Sequence, residues 1–432
     1  MKKYPVYKDS EFKWLGEVPV EWDIKEVKQI YDFVSVKVSD EDYQALSVSS
    51  KSGITPQLEH VAKTLNGDNR KRVEKGDFVI NSRADRPGAC GVSEYDGSVS
   101  VICHVLRPKK AIILFPKYMH FLFRNPMFSQ EFYRWGRGIV DDLWSTRKDE
   151  FSKIKIPIPP IDCQIVIGEY LDQQVENIND LIQKKVKIIE LLEQKRQSMI
   201  TEAVTKGLNP NVKMKDSGVE WIGEIPEYWN IKKMKYLAQG KMMYGANESA
   251  ELDDRTLPRY IRITDIDQRG QLKEDTFKSL SKEVAAQYPV IKGDILFARS
   301  GATVGKTYHH DSEKIASFAG YLIRLRARKE YNSKYLYYYT QSSIYKEWIQ
   351  SILIQATIQN VSAEKYADLL ITIPSLKEMN QIVEYLERID ANIYSSLSLV
   401  TEQIQKLKDY RQSLIYEAVT GKIDVRDFEV KA

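Results

Sequence analysis

At 432 residues, with 64 Lys and Arg against 60 Asp and Glu, the chain is long enough for two domains, and its net charge of +4 is too weak to name a partner. Cys90, Cys103 and Cys163 lack CxxC spacing, and of five histidines only His309 and His310 adjoin, so neither a disulfide framework nor a metal site is supported. No apolar run approaches the roughly 18 residues of a membrane span, and the first residues lack the apolar stretch of a signal peptide, which sets the expectation of a soluble, cytoplasmic protein without a membrane partner.

The chain opens on Lys8-Asp9-Ser10, Trp14-Leu15-Gly16-Glu17-Val18-Pro19 and Trp22-Asp23-Ile24. The same signature returns 207 positions later as Lys215-Asp216-Ser217, Trp221-Ile222-Gly223-Glu224-Ile225-Pro226 and Trp229-Asn230-Ile231. Residues 8–28 and 215–235 agree at 11 of 21 positions. A unit of roughly 210 residues is far longer than a solenoid repeat, so a whole domain has been duplicated. Two similar domains related by a pseudo-two-fold suit a target with two halves, of which duplex DNA is the obvious one.

Behind each opening, residues 1–158 and about 213–373 carry short alternating apolar runs broken by Gly, Asp and Asn. Lys75-Gly76-Asp77-Phe78-Val79-Ile80 and Lys292-Gly293-Asp294-Ile295-Leu296-Phe297 are matching turn-then-strand signals, 217 apart. Residues 260–266 alternate as a strand should, whereas 117–134 and 333–352 have helical character. Tyr335, Tyr337, Tyr338 and Tyr339 suit a packed helix face, and Arg70-Lys71-Arg72 suits an exposed loop. Ile156-Pro157-Ile158-Pro159-Pro160 and Ile371-Thr372-Ile373-Pro374 close each domain with extended, helix-incompatible chain.

The pattern then changes. Positions 171, 175, 178, 182, 185, 189, 192, 196 and 199 form a stripe with seven apolar residues of nine, and shifting by 215 reproduces it from Leu386 to Leu414. Alternating spacings of four and three are the coiled-coil period. Arg196–Thr205 and Arg411–Thr420 agree at 8 of 10 positions, and the helices should end near Gly207 and Gly421. Lys185 and Arg196 on the stripe either fix register or lie at its edge. The expected fold is α+β: two similar mixed α/β domains joined by two long helices in an antiparallel coiled coil. The divisions are 1–158 (recognition domain 1), 159–207 (helical region 1), 208–374 (recognition domain 2) and 375–432 (helical region 2).

This order, with the Trp-x-Gly-Glu-x-Pro-x-x-Trp openings, the 292–306 segment and the closing Arg411–Thr420 block, resembles the specificity subunit of type I restriction–modification systems along essentially the whole chain. The resemblance implies two target-recognition domains, each reading half of a bipartite, asymmetric duplex DNA site. The helices would form the spacer and bind two modification subunits. Those would carry S-adenosylmethionine and methylate adenine N6, and restriction subunits would join, using ATP and Mg2+. This chain would bind no cofactor and hold no chemistry.

Base reading needs Arg or Lys for guanine and Asn or Gln for adenine, while phosphates take Lys, Arg, hydroxyls and N–H groups of Gly-rich turns. The first domain offers Arg83, Arg86, Arg137, Trp144, Thr146 and Arg147 as DNA-binding candidates. The second offers Tyr260, Arg262, Arg299, Ser300, Thr303, Lys306, Gln355 and Gln359. Where the second domain has Ser300-Gly301-Ala302-Thr303-Val304-Gly305, the first has Arg83-Ala84-Asp85-Arg86-Pro87-Gly88, so unlike half-sites are expected. Gly301 to Lys306 lacks the spacing of a phosphate loop, and Asn125-Pro126-Met127 and Asn209-Pro210-Asn211 lack the residues an adenine methyltransferase needs after its proline. The competing class is a two-domain coiled-coil scaffold for proteins, which a steep salt dependence of DNA binding would exclude.

Overall fold

The computed structural model describes residues 2–57, 67–83, 85–109, 113–138, 144–267, 269–354 and 360–429. Two compact units emerge, Met1–Val186 with Thr401–Ala432, and Lys187–Val400. Each therefore contains one repeat of the β-rich domain together with segments of both long helices.

In the first unit the central sheet is antiparallel and runs Cys90–Val92, Phe78–Asn81, Cys103–Pro108, Tyr31–Val34. In the second the order is Met243–Tyr244, Leu322–Leu325, Ile295–Ala298, Thr307–His309, the same sheet taken from its other edge. The duplicated Lys-Gly-Asp turn is explained by its aspartate. Gly76 and Gly293 take φ of 94° and 91°, which a side chain would resist. Buried Asp77 then accepts from the Glu74 N–H and from the Arg107 fork, just as Asp294 accepts from the Ile291 N–H and from Arg326.

The openings are hairpins, Tyr7–Asp9 on Glu17–Pro19 and Met214–Asp216 on Glu224–Pro226. Their second tryptophans, Trp22 and Trp229, are fully buried and seat the end of a long helix. In the first unit the seated end is the last helix of the chain, where Gly421 lies against Pro19 and Trp22. In the second it is the first long helix, where Gly207 lies against Trp229. Tyr118 donates to the carbonyls of Pro157 and Val419, and Tyr335 makes the same pair of bonds to Thr372 and Val204. The duplicated sequence blocks are thus largely packing devices.

The long helices are Ile161–Lys206, 46 residues, and Leu376–Val419, 44 residues. Both begin about ten residues before the heptad stripe, directly after the proline-terminated strands. Gln164 fastens the first start by donating to Pro159 O and accepting from the Phe115 N–H. All nine stripe positions of each helix are buried or half-buried. Within the first unit the segments pair antiparallel, since Asn179 meets Arg411 and Lys185 Nζ donates to Gln403 Oε1 at 2.7 Å. Within the second, Arg196 bonds Asp390 at 2.7 and 3.0 Å. Lys185 and Arg196 are therefore both cross-helix ties.

Three expectations change. Each helical stretch is two helices, Pro116–Phe123 and Pro126–Arg134, then Ser333–Tyr339 and Ser343–Ile354. Pro126 cannot continue the preceding helix, and Asn125 caps the new one by accepting from the Met127 N–H. Residues 260–266 are a strand only at Tyr260–Ile261, because Arg262 folds back on Asp265 and forms a 3-10 turn. Arg70-Lys71-Arg72 is no loop but lies in the strand Arg70–Val73, with Arg70 buried against Ser98. Tyr335, Tyr337, Tyr338 and Tyr339 are buried, as a packed helix face requires.

Candidate nucleic-acid interface

In the first unit the strand Phe78–Asn81 is followed by the described residues 82–83 and 85–88, and the helix Pro126–Arg134 by 135–138 and 144–147. A main-chain bridge joins Arg83 to Ser145, and a second joins Arg137 to the same serine. The Thr146 N–H donates to Ser82 O at 3.0 Å. Tyr133 clamps the other side, its hydroxyl donating to Arg86 O at 3.0 Å, while Trp144 Nε1 donates to Tyr133 O at 2.9 Å. Two segments distant in the chain become one surface.

That surface is cationic. Arg83, Arg86, Arg137 and Arg147 are exposed. Arg137 pairs with Glu150 at 3.1 Å and Arg86 lies 4.0 Å from Asp85. Among the described residues the guanidinium groups of Arg83 and Arg147 have no bonded partner. Thr146 does not belong to the exposed set: it is buried, and its hydroxyl donates to Phe132 O at 2.7 Å. Its carbonyl takes the His104 ring nitrogen at 2.8 Å, and burial lowers the pKa of that histidine, leaving it neutral.

The second unit repeats the arrangement with other side chains. The strand Ile295–Ala298 runs into residues 299–306, and a bridge joins Ser300 to Asn360 at the entry to the short helix Ala363–Ala367. The Val361 N–H donates to Arg299 O at 2.8 Å. Arg299 lies over the Tyr244 ring at 4.7 Å with Nε 3.4 Å from Asn360 Oδ1. Gly301–Thr303 is an exposed 3-10 turn, and Tyr345 and Tyr366 pin its flanks by donating to Gly305 O and Ala298 O. Lys306 turns inward, Nζ donating to Ile266 O at 2.5 Å.

Two candidates here are structural. Tyr260 is buried, its hydroxyl donating to Ala246 O and Glu248 O, and so presents no group to a ligand. Arg262 is committed to Asp265 through two nitrogens and to Thr276 O. Gln355 and Gln359 lie outside the described residues. Tyr244, which carries Arg299, escaped sequence reading because it is distant in the chain and belongs to no motif.

Among the described residues no group of His, Cys, Asp and Glu is arranged to hold a metal ion, and no helix is long and apolar enough to cross a membrane. The family model described as the type I restriction modification DNA specificity domain matches residues 19–191 and again 226–406. The MjaVIII specificity subunit of Methanocaldococcus jannaschii is 27% identical over 290 residues, 65% of this chain and 64% of that subunit. The MjaX specificity subunit of the same organism is 24% identical over 97% of this chain and 98% of its own length. A chain in a solved type I restriction–modification system superposes with a TM-score of 0.72 at 14% identity, over 93% of this chain and 98% of that one, a likeness of fold. Two matched copies of one domain, each built around the same pair of bridged loops, place this chain in the family of type I restriction–modification specificity subunits, the non-catalytic DNA-recognition component of those systems.

Proposed function

We propose that each unit reads one half of a bipartite, asymmetric duplex DNA site through its bridged loops, and that the long helices set the unread gap. The observation that carries this reading is the common frame with unlike side chains: Arg83 on Ser145 in one unit, Ser300 on Asn360 in the other. Main-chain bonds hold the loops alike, while the exposed groups differ, with Arg83, Arg86, Arg137 and Arg147 against Arg299, Ser300 and Thr303. Arginine forks favour guanine and phosphate, so unlike half-sites follow. Trp144 and Lys306 support the loops from beneath.

The chain itself carries no chemistry in this reading. Two modification subunits bind it, one at each repeat, bringing S-adenosylmethionine for adenine methylation. Restriction subunits join with ATP and Mg2+, and the assembly works in the cytoplasm. Co-expression with the modification subunit, followed by long-read mapping of N6-methyladenine, tests this directly. One motif with two unlike halves and a fixed gap is expected. No new motif from a folded, bound partner would favour the protein scaffold.

A further inference from the structure

The second unit contains a cleft of about 1260 Å3 beneath the turn 301–306, walled by Ile266, Asp267, Arg269, Gly270 and Lys273, the helix Ser343–Ile354 and the two long-helix segments. Five cations line it, Arg196, Arg269, Lys273, Lys306 and Lys346, against two carboxylates, Glu193 and Asp267. Arg196 is neutralised by Asp390. Among the described residues none of the other four has a carboxylate within ion-pair distance. Lys306 and Lys273 donate to the carbonyls of Ile266 and Thr264, Lys346 to Gln197 Oε1, and Arg269 lies over the Tyr394 ring at 5.2 Å. Asp267 Oδ1 is engaged by the main-chain N–H groups of Arg269 and Gln271.

Gathering unpaired cations around one cleft raises the local positive potential and draws an anion to it. Burial already pushes the Lys306 and Lys346 ammonium groups below the ordinary lysine range. The feature also belongs to one repeat. The positions 217 before Lys306 and Lys346 are Ala89 and Ser129, and the position 215 before Tyr394 is Asn179. At Lys306 and Lys346, charge stands on one side of the duplication only.

We propose that this cleft seats a phosphate of the duplex backbone, a sequence-independent anchor directly beside the reading loop of the second unit. The assignment rests on the DNA reading above and extends it to residues outside the loops. The turn 301–305 is at once the rim of the cleft and the tip of the loop, so a strand read by Arg299 and Ser300 passes its backbone over Arg269 and Lys346. Phosphate contacts contribute affinity and register without contributing sequence preference.

The test uses the full-length chain with its modification subunit and a fluorescent duplex carrying the mapped motif, titrated across a salt series. Arg269→Gln and Lys346→Gln, singly and together, should flatten the dependence of log K on log salt by about 0.9 per lost contact. They should weaken matched and mismatched duplexes by the same factor, and Lys346→Arg should restore the slope. Arg269 is exposed, so its variant tests the idea without disturbing the fold. An unchanged slope, or a loss confined to the matched duplex, overturns the anchor. Inorganic phosphate raising the Tm of the parent but not the variants, with equal DNA slopes, would assign the cleft to a free anion and overturn it likewise. Failure of the parent to prefer its motif would instead bring down the DNA reading itself.

Discussion

The hydroxyl of Tyr118 donates to the main-chain carbonyl of Val419 at 3.1 Å, joining residues 301 apart in the chain. Its repeat, Tyr335, bonds Val204 and Thr372. Replacing either by Phe leaves two buried carbonyls without that donor, at a cost of about 1–3 kcal/mol. The prediction is that Tyr118→Phe and Tyr335→Phe each lower the urea midpoint, with the two effects additive because they lie in different units.

Arg196 and Asp390 form the charged tie of the second unit, with side chains 17% and 15% exposed. Tyr338 adds a bond to the same carboxylate at 3.2 Å. Arg196→Ala or Asp390→Ala alone strands a desolvated charge and should cost about 3 kcal/mol, whereas Arg196→Met with Asp390→Leu should cost less than either. A double-mutant cycle by denaturant unfolding measures the coupling; additive losses would show the pair to be uncoupled.

Burial holds His120 and His309 at about 4, beneath the usual 6.5. Both are neutral in the fold and gain protons only on unfolding, so the unfolded state binds more protons between pH 6.5 and 4. Stability should be complete above 6.5 and fall as the pH drops through that window. His120→Gln and His309→Gln should each flatten the decline of Tm between pH 7 and pH 5.

Each unit should be addressable alone. Arg299→Ala removes the guanidinium held over Tyr244 and is expected to relax one half-site of the methylated motif while leaving the other intact. Arg83→Ala should do the reverse. Methylation mapping of both variants decides it, and a change in both halves after either substitution would contradict separate reading.

Helix length is the remaining lever. The units divide after Val186 and after Val400, inside the two long helices. Seven residues inserted at both points preserve the heptad register and every pairing within each unit while lengthening the helices by about 10 Å. The methylated motif should keep both halves and gain unread base pairs. An unchanged gap would remove the helices from that role.

Duplication, the order of β-rich domain then helix, and the buried stripe were all legible because each is a local pattern or a comparison of the chain with itself. Apolar spacing alone marked every stripe position that became covered, from Leu171 to Leu414. Site residues were legible only as segments. That Arg83 and Arg137 meet Ser145, and Ser300 meets Asn360, depends on main-chain bridges between segments distant in the chain, which periodicity does not encode. Polarity likewise pointed to Thr146 and Tyr260, but burial depends on which neighbours cover a side chain, and both hydroxyls found carbonyls inside the fold. The sequence by itself determined that there are two alike domains with helices between. Only tertiary packing decided which helix end each domain seats, because Trp22 and Trp229 present like surfaces, yet Trp229 takes the nearby Gly207 whereas Trp22 takes Gly421 from the far end of the chain, a long-range closure that local pattern does not encode.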